Sequence, residues 1–155
     1  MLTLSMFLHI VAALFWVGGM LFLTLVVAPF LMKMEDPKAR SAVYQEVGSR
    51  FRFWGWVAIT MLLVTGPINL YYMGVPPSKL MDPALYSTGY GKALMAKLAF
   101  VTIIVISSLL HDFWLGPGAR NSRTYSTIAK VMGRSNLVTA LIIIVLAVVL
   151  RNGGF

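Results

Sequence analysis

Four long runs of apolar residues, separated by polar stretches, most constrain what this chain can fold into. They predict helices at about residues 4–32, 53–73, 92–115 and 137–150. About 20 apolar residues suffice for a helix to cross the hydrocarbon core of a bilayer. With 59% hydrophobic and 12% charged residues, the chain has too little polar surface for a soluble domain. The sequence therefore predicts an all-α membrane protein, a single transmembrane domain over residues 1–155 built as an up-down-up-down four-helix bundle.

Composition also excludes several classes of function. The chain has no cysteine, which rules out disulfides, thiolate metal sites and cysteine catalysis. The net charge is +8, but the basic residues cluster between the apolar runs, as membrane topology requires. We therefore expect the lipid bilayer, and no nucleic acid, as the partner of this chain. The first run lacks a basic leading region and is longer than a signal core, so we expect it to be retained.

The distribution of lysine and arginine predicts the orientation. One side of the membrane receives Lys33, Lys38, Arg40, Arg50, Arg52, Arg120, Arg123, Lys130 and Arg134. The other side receives Lys79, Lys92 and Arg151, with Lys97 just inside the third helix. Cytoplasmic loops carry the excess of basic residues. This predicts a multi-pass protein of the bacterial inner membrane with both termini on the periplasmic side.

His9, Lys97 and His111 are ionisable side chains within the apolar runs, where such groups usually mark function. His9 lies early in the first helix and Lys97 early in the third. These helices run parallel in an up-down-up-down bundle, so the two residues have similar depth. His111 lies 14 residues after Lys97, which is about 21 Å along a helix. One compact cofactor is therefore more easily held by His9 and Lys97 than by the two histidines.

The surroundings of this pair suggest a haem. In the second helix, Gly66 and Asn69 fall in the same half of the membrane, and glycine leaves room for a flat macrocycle. Trp16 lies two turns below His9 and is suited to form the floor of a pocket. A neutral imidazole is a common axial ligand of haem iron. Burial favours the uncharged amine of a lysine, which is the form that coordinates a metal.

Other interpretations of the same residues stay open. A histidine in a membrane helix also hydrogen-bonds to neighbouring helices, and Lys97 is close enough to the helix end to extend outward. His111 is a weaker alternative metal ligand. Thioether sulfurs suit copper(I), and four methionines qualify without forming a cluster: Met6, Met20, Met73 and Met95.

Several stretches resemble a known membrane family. The first helix, from Phe7 to Phe22 with Pro29 beyond it, resembles the opening helix of the copper-resistance-D-like superfamily. The segment GKALMAKL at 91–98 resembles the start of a later helix in that superfamily. Three further segments are similar to a small four-helix branch of it: VGSRFR at 47–52, LVTGPINL at 63–70 and HDFWLGP at 111–117.

This resemblance implies ligands as well as a fold. The superfamily includes the oxygen-independent protoporphyrinogen oxidase of bacterial haem synthesis, in which an opening-helix histidine and an A-K-L lysine are implicated in haem binding. The matching residues here are His9 and Lys97. That enzyme has a Pro-Arg pair after its first helix, whereas here Pro29 is followed by Phe30. The name of the superfamily implies copper as the other candidate ligand.

The leading prediction is a haem b protein that transfers electrons between a quinol or periplasmic donor and an acceptor. A copper transport or tolerance protein is the first alternative, and a protoporphyrinogen oxidase-like enzyme is the second. A haem-dependent oxidoreductase activity and association of copies of the chain are both compatible with the sequence.

Overall fold

A computed structural model of the chain describes residues 1–118 and 122–155, and every regular element within these ranges is helical. We number the helices in chain order: α1 (Leu2–Met32), α2 (Pro37–Tyr72), α3 (Pro77–Leu80), α4 (Pro83–Ser87), α5 (Gly89–Leu115) and α6 (Arg123–Arg151). Among the described residues, α1, α2, α5 and α6 are long and apolar enough to cross a membrane. The predicted all-α fold with four membrane-length helices is therefore confirmed. Arg120, one of the basic residues used to predict orientation, lies outside the described residues.

The contacts divide the chain into two compact units, Met1–Gly74 and Val75–Phe155. In the first unit α1 and α2 run antiparallel, because His9 meets Thr65 near one end while Phe15 packs on Phe51 further along. The two phenylalanine rings are stacked with centroids 6.5 Å apart. The prediction of one domain over the whole chain stays a prediction.

The second unit is also an antiparallel pair, formed by α5 and α6. The backbone N–H of Phe155, beyond the end of α6, donates to the carbonyl of Gly89 at the start of α5. Near the other end of the pair, Ser107 of α5 bonds Asn136 of α6. Helices α3 and α4 precede α5 and lie in the stretch between the second and third predicted membrane helices. Each begins with a proline, a residue that suits the first position of a helix.

The start of α2 differs from the prediction. The second helix was predicted to begin at about residue 53, but α2 begins at Pro37 and is continuous to Tyr72. The side chain of Asp36 accepts a hydrogen bond from the backbone N–H of Lys38 at 2.8 Å, which caps the helix. Hydropathy marks the part of a helix that enters lipid, and this helix extends well beyond its apolar part. Helix α6 likewise begins at Arg123 rather than at 137.

Two π-helical turns interrupt the long helices, at Leu23–Val27 in α1 and at His111–Leu115 in α5. The first ends just before Pro29, where the Ala28 N–H bonds the Leu23 carbonyl five residues back. A proline ring clashes with the carbonyl four residues before it, and a wider turn relieves that clash. The π turn therefore accommodates Pro29 within α1.

Candidate functional site

A cluster of polar side chains lies between α1 and α2, at the end of the first unit where α1 begins. The His9 ring atom Nδ1 lies 2.7 Å from Thr65 Oγ1. Ser5, one turn before His9, donates to the Thr65 carbonyl at 3.5 Å. Ser5 and Thr65 are both buried. We call Ser5, His9, Thr65 and Asn69 the His9 cluster.

The hydrogen bond of the Thr65 hydroxyl assigns the tautomer of His9. Thr65 Oγ1 lies 2.6 Å from the carbonyl oxygen of Met61, one turn back in α2. A hydroxyl has a single hydrogen, so Thr65 donates to Met61 and its oxygen accepts from His9 Nδ1–H. In the neutral ring, the lone pair then resides on Nε2. The structure thus fixes Nε2 as the nitrogen of His9 that is able to bind a metal.

Gly66 lets α2 approach the imidazole closely. A Cβ atom added at Gly66 would lie 3.7 Å from His9 Cε1, so the ring packs against the backbone of α2. The next residue is Pro67, inside the helix. A proline disfavours helical conformation in the residue before it unless that residue is small. Gly66 therefore serves both the ring contact and the continuation of α2 through Pro67.

Asn69 adds an acceptor one turn beyond Thr65. Its Oδ1 atom is buried and has no hydrogen-bond partner within the described ranges. Buried polar atoms in native structures are nearly always paired, with protein, ordered water or ligand. Asn69 Oδ1 is therefore a place for a bound water or ligand at the same end of the unit as His9.

The remaining candidates lie elsewhere. Trp16 is buried, and its ring packs beside Gly55 of α2, where an added Cβ would be 3.7 Å from Trp16 Cδ1. Lys97 belongs to the second unit, where its side chain is half-buried in α5. The pairing of His9 with Lys97 across a haem stays a prediction. His111, also in the second unit, has its Nδ1 2.7 Å from Asp112 Oδ1.

Two members of the His9 cluster were not among the predicted site residues. Thr65 belongs to the segment LVTGPINL, whose resemblance to the membrane family was described above, but it was not predicted as a site residue. Ser5 was not predicted as one either. Ser5 and His9 are four residues apart in α1, a spacing that places both on one face of a helix. The sequence thus contained a signal for Ser5, whereas the contact of Thr65 depends on how α2 is rotated against α1.

The chain is similar in sequence to known proteins. Residues 45–150 match the family model described as copper resistance protein D. A protein of Aquifex aeolicus described as uncharacterized is 40% identical over 97% of this chain and 95% of its own length. The copper transport protein CutJ of Bacillus subtilis is 29% identical over 105 residues, which are 68% of this chain but only 18% of CutJ. No solved structure matches the chain.

Proposed function

The chain belongs to the copper resistance protein D family, and we propose that it binds copper(I) at His9 as part of copper transport or tolerance at a membrane. The name of the family and that of CutJ both refer to copper. CutJ is a much longer protein, so its transport activity as a whole comes to this chain only as a proposal. Four membrane-length helices among the described residues fit a protein that handles an ion within a bilayer.

The hydrogen bond from His9 Nδ1–H to Thr65 is the observation that carries the proposal. Histidines that bind metals almost always donate their other ring N–H to a fixed acceptor, which sets the tautomer and the direction of the ring. His9 has that arrangement. Its partner is itself held by Met61 and is buried in the helix interface.

The types of donor near His9 favour a soft ion. Within residues 1–118 and 122–155, no group of three or more His, Cys, Asp or Glu side chains is placed to hold a metal. Zinc sites in proteins are built from three or four such ligands. Imidazole and thioether ligands suit copper(I). Met6 lies three residues before His9 in α1, a spacing of neighbours on a helix surface, and its side chain is half-buried. Met6 is therefore our candidate for a second ligand.

Copper(I) titration of the purified full-length protein against a chromogenic chelator tests this proposal. We expect His9→Ala to abolish binding at this site and Met6→Leu to weaken it. Met32→Leu is the matched control, since Met32 lies at the far end of α1 and is largely exposed. Wild-type affinity in His9→Ala, with the protein still folded, would exclude His9 as a copper ligand.

Haem b binding, with His9 and Lys97 as axial ligands, is a second candidate function. The observation that favours it is the burial of Lys97. This lysine is half-buried in α5 and forms no ion pair with any of the described residues. A haem would supply an iron centre for one-electron transfer, for which a quinol or a periplasmic protein is the expected donor. Porphyrinogen oxidation would need further evidence, such as rescue of a haem-auxotrophic strain.

The absorption spectrum of protein purified from haem-replete cells separates the two candidates. A haem protein shows a Soret band that is lost in His9→Ala and shifted in Lys97→Ala, whereas His111→Ala leaves it unchanged. A colourless preparation that still binds copper(I) would remove the haem candidate and leave the copper proposal in place.

We also propose that this protein resides in a bacterial inner membrane with both termini on the periplasmic side. The support is the excess of basic residues over the stretches 33–52 and 120–134, which the orientation places on one side of the membrane. In that orientation the His9 cluster lies in the outer half of the membrane.

A further inference from the structure

The second unit repeats the pattern of residues found around His9. In each unit, one helix carries a serine four residues before a histidine, and the antiparallel helix carries a glycine three residues before an asparagine. The two sets are Ser5, His9, Gly66 and Asn69 in the first unit and Ser107, His111, Gly133 and Asn136 in the second. The family comparison assigns no role to either set.

In both units the histidine ring faces a glycine of the antiparallel helix. In the second unit a Cβ added at Gly133 would lie 3.8 Å from His111 Nε2, so the ring faces the backbone of α6 at a glycine. Asn136 is buried and accepts from the Ser107 hydroxyl at 2.5 Å, while its amide donates to Ser108 at 3.4 Å. We call Ser107, Ser108, His111, Asp112 and Asn136 the His111 cluster. It is a partly buried polar group between two apolar helices, with Ser108 and Asn136 buried.

Asp112 holds His111 as Thr65 holds His9. His111 Nδ1 lies 2.7 Å from Asp112 Oδ1. An ionised carboxylate only accepts hydrogen bonds, so the proton of this contact belongs to Nδ1, and in the neutral ring the lone pair resides on Nε2. A carboxylate that orients a histidine in this way is a common companion of metal-binding imidazoles. Nε2 is also the atom that faces Gly133, a residue without a side chain of its own.

The backbone at His111 is unusual as well. His111 is the first residue of the π turn His111–Leu115, and π turns inside α-helices occur frequently at functional sites. On α6, the residue before Gly133 is Met132, whose side chain is half-buried. In the first unit the residue before the corresponding glycine is Thr65, which contacts the histidine ring. Met132 therefore occupies the position that corresponds to Thr65, next to the glycine that faces His111, and its side chain is a thioether.

We propose that His111 Nε2, with Met132, forms a second copper(I) site, so that each helical hairpin carries one. The identity of the ion rests on the proposed function, whereas the site itself rests on the His111 cluster. Under the predicted topology, α1 begins outside and α5 ends inside. In that topology the two sites lie towards opposite sides of the membrane.

Copper(I) stoichiometry of the purified full-length protein tests this inference. We expect two ions per chain in the wild type, one in His9→Ala, one in His111→Ala and none in the double variant. Silver(I), which does not change oxidation state, should give the same numbers. A wild type that binds one ion and loses it in His9→Ala would overturn the second site.

A second variant tests the same site while retaining the imidazole, so that the inference does not depend on whether His111→Ala folds. Gly133→Leu keeps the imidazole but places a side chain against Nε2, and we expect it to lower the stoichiometry by one. Gly48→Leu is the matched control, because an added Cβ at that helical glycine has no neighbour within 4 Å. Unchanged stoichiometry in a folded Gly133→Leu protein would overturn the inference whatever His9 does. If His9→Ala has no effect while His111→Ala and Gly133→Leu each remove one ion, the proposed function at His9 fails and the second site stands.

Discussion

Replacing Thr65 by valine tests the assignment of the His9 tautomer most directly. Valine has nearly the shape of threonine but no hydroxyl, so the packing between α1 and α2 is retained. The change removes two hydrogen bonds, the one from His9 Nδ1–H at 2.7 Å and the one to the Met61 carbonyl at 2.6 Å. With its acceptor gone, the imidazole is free to turn or to move its proton to Nε2, where the proton blocks metal binding.

The structure separates the expected effect on affinity from the effect on stability. Loss of a partner that orients a metal-binding histidine typically lowers metal affinity by about 10- to 100-fold. Hydrogen bonds between membrane helices contribute on average only about 0.6 kcal/mol to stability and at most about 1.7 kcal/mol. We therefore expect Thr65→Val to fold, to unfold at a slightly lower temperature, and to bind copper(I) at least ~10-fold more weakly at His9.

The assay is chelator competition together with thermal unfolding in the same detergent. Thr60→Val is the matched control, since Thr60 lies in α2 with its side chain exposed. Thr65→Ser retains the hydroxyl and should restore most of the affinity. If Thr65→Val, Thr60→Val and the wild type bind copper(I) equally well, the Thr65 hydrogen bond does not determine which nitrogen of His9 binds the metal.

Three further predictions concern packing, capping and topology. Gly19→Ala should destabilise the first unit by about 1 kcal/mol because its Cβ would overlap the ring of Phe51; Gly18→Ala, with no neighbour within 4 Å, should not lower the unfolding temperature. Asp36→Ala should cost about 1 kcal/mol through loss of the N-cap of α2, whereas Asp36→Asn should retain it, as read from hydrogen exchange in the first turn. Ser78→Cys introduces a sole cysteine in α3, and a membrane-impermeant maleimide should label it in intact cells; labelling only after lysis would reverse the predicted topology.

Much of this fold can be predicted from the sequence, because few backbone conformations satisfy their own hydrogen bonds in lipid. A run of about 20 apolar residues must become a helix to satisfy its backbone in the membrane. Hydropathy did not locate the start of α2, since residues 37–52 are helical for local reasons. Asp36 and Pro37 form an N-terminal signal, and Glu46 pairs with Arg50 one turn later at 2.6 Å. Both signals can be recognised in the sequence without counting apolar residues.

The site was less accessible to sequence reasoning than the fold. Helix depth grouped His9 with Gly66 and Asn69, and in the structure the His9 ring lies beside Gly66. The depth of a residue in the membrane contains no information on how its helix is rotated about its own axis. The role of Thr65 as the hydrogen-bond acceptor of His9 is therefore seen only in the structure of α1 packed against α2. The pairing of His111 with its neighbour Asp112 involves adjacent residues, which on a regular helix point in different directions.

The π turn at Leu23–Val27 makes the effect of a one-residue deletion in the first helix depend on where the deletion falls. Each residue advances an α-helix by about 100°, and a π turn accommodates one extra residue within an otherwise α-helical segment. Leu31 is 2% exposed, while Leu25, within the turn, is 68% exposed. Deleting Leu25 should therefore convert the π turn to an α turn and keep Leu31 in the interface. Deleting Leu14, an exposed residue of the regular helix, would instead rotate the residues after it by about 100° relative to those before it.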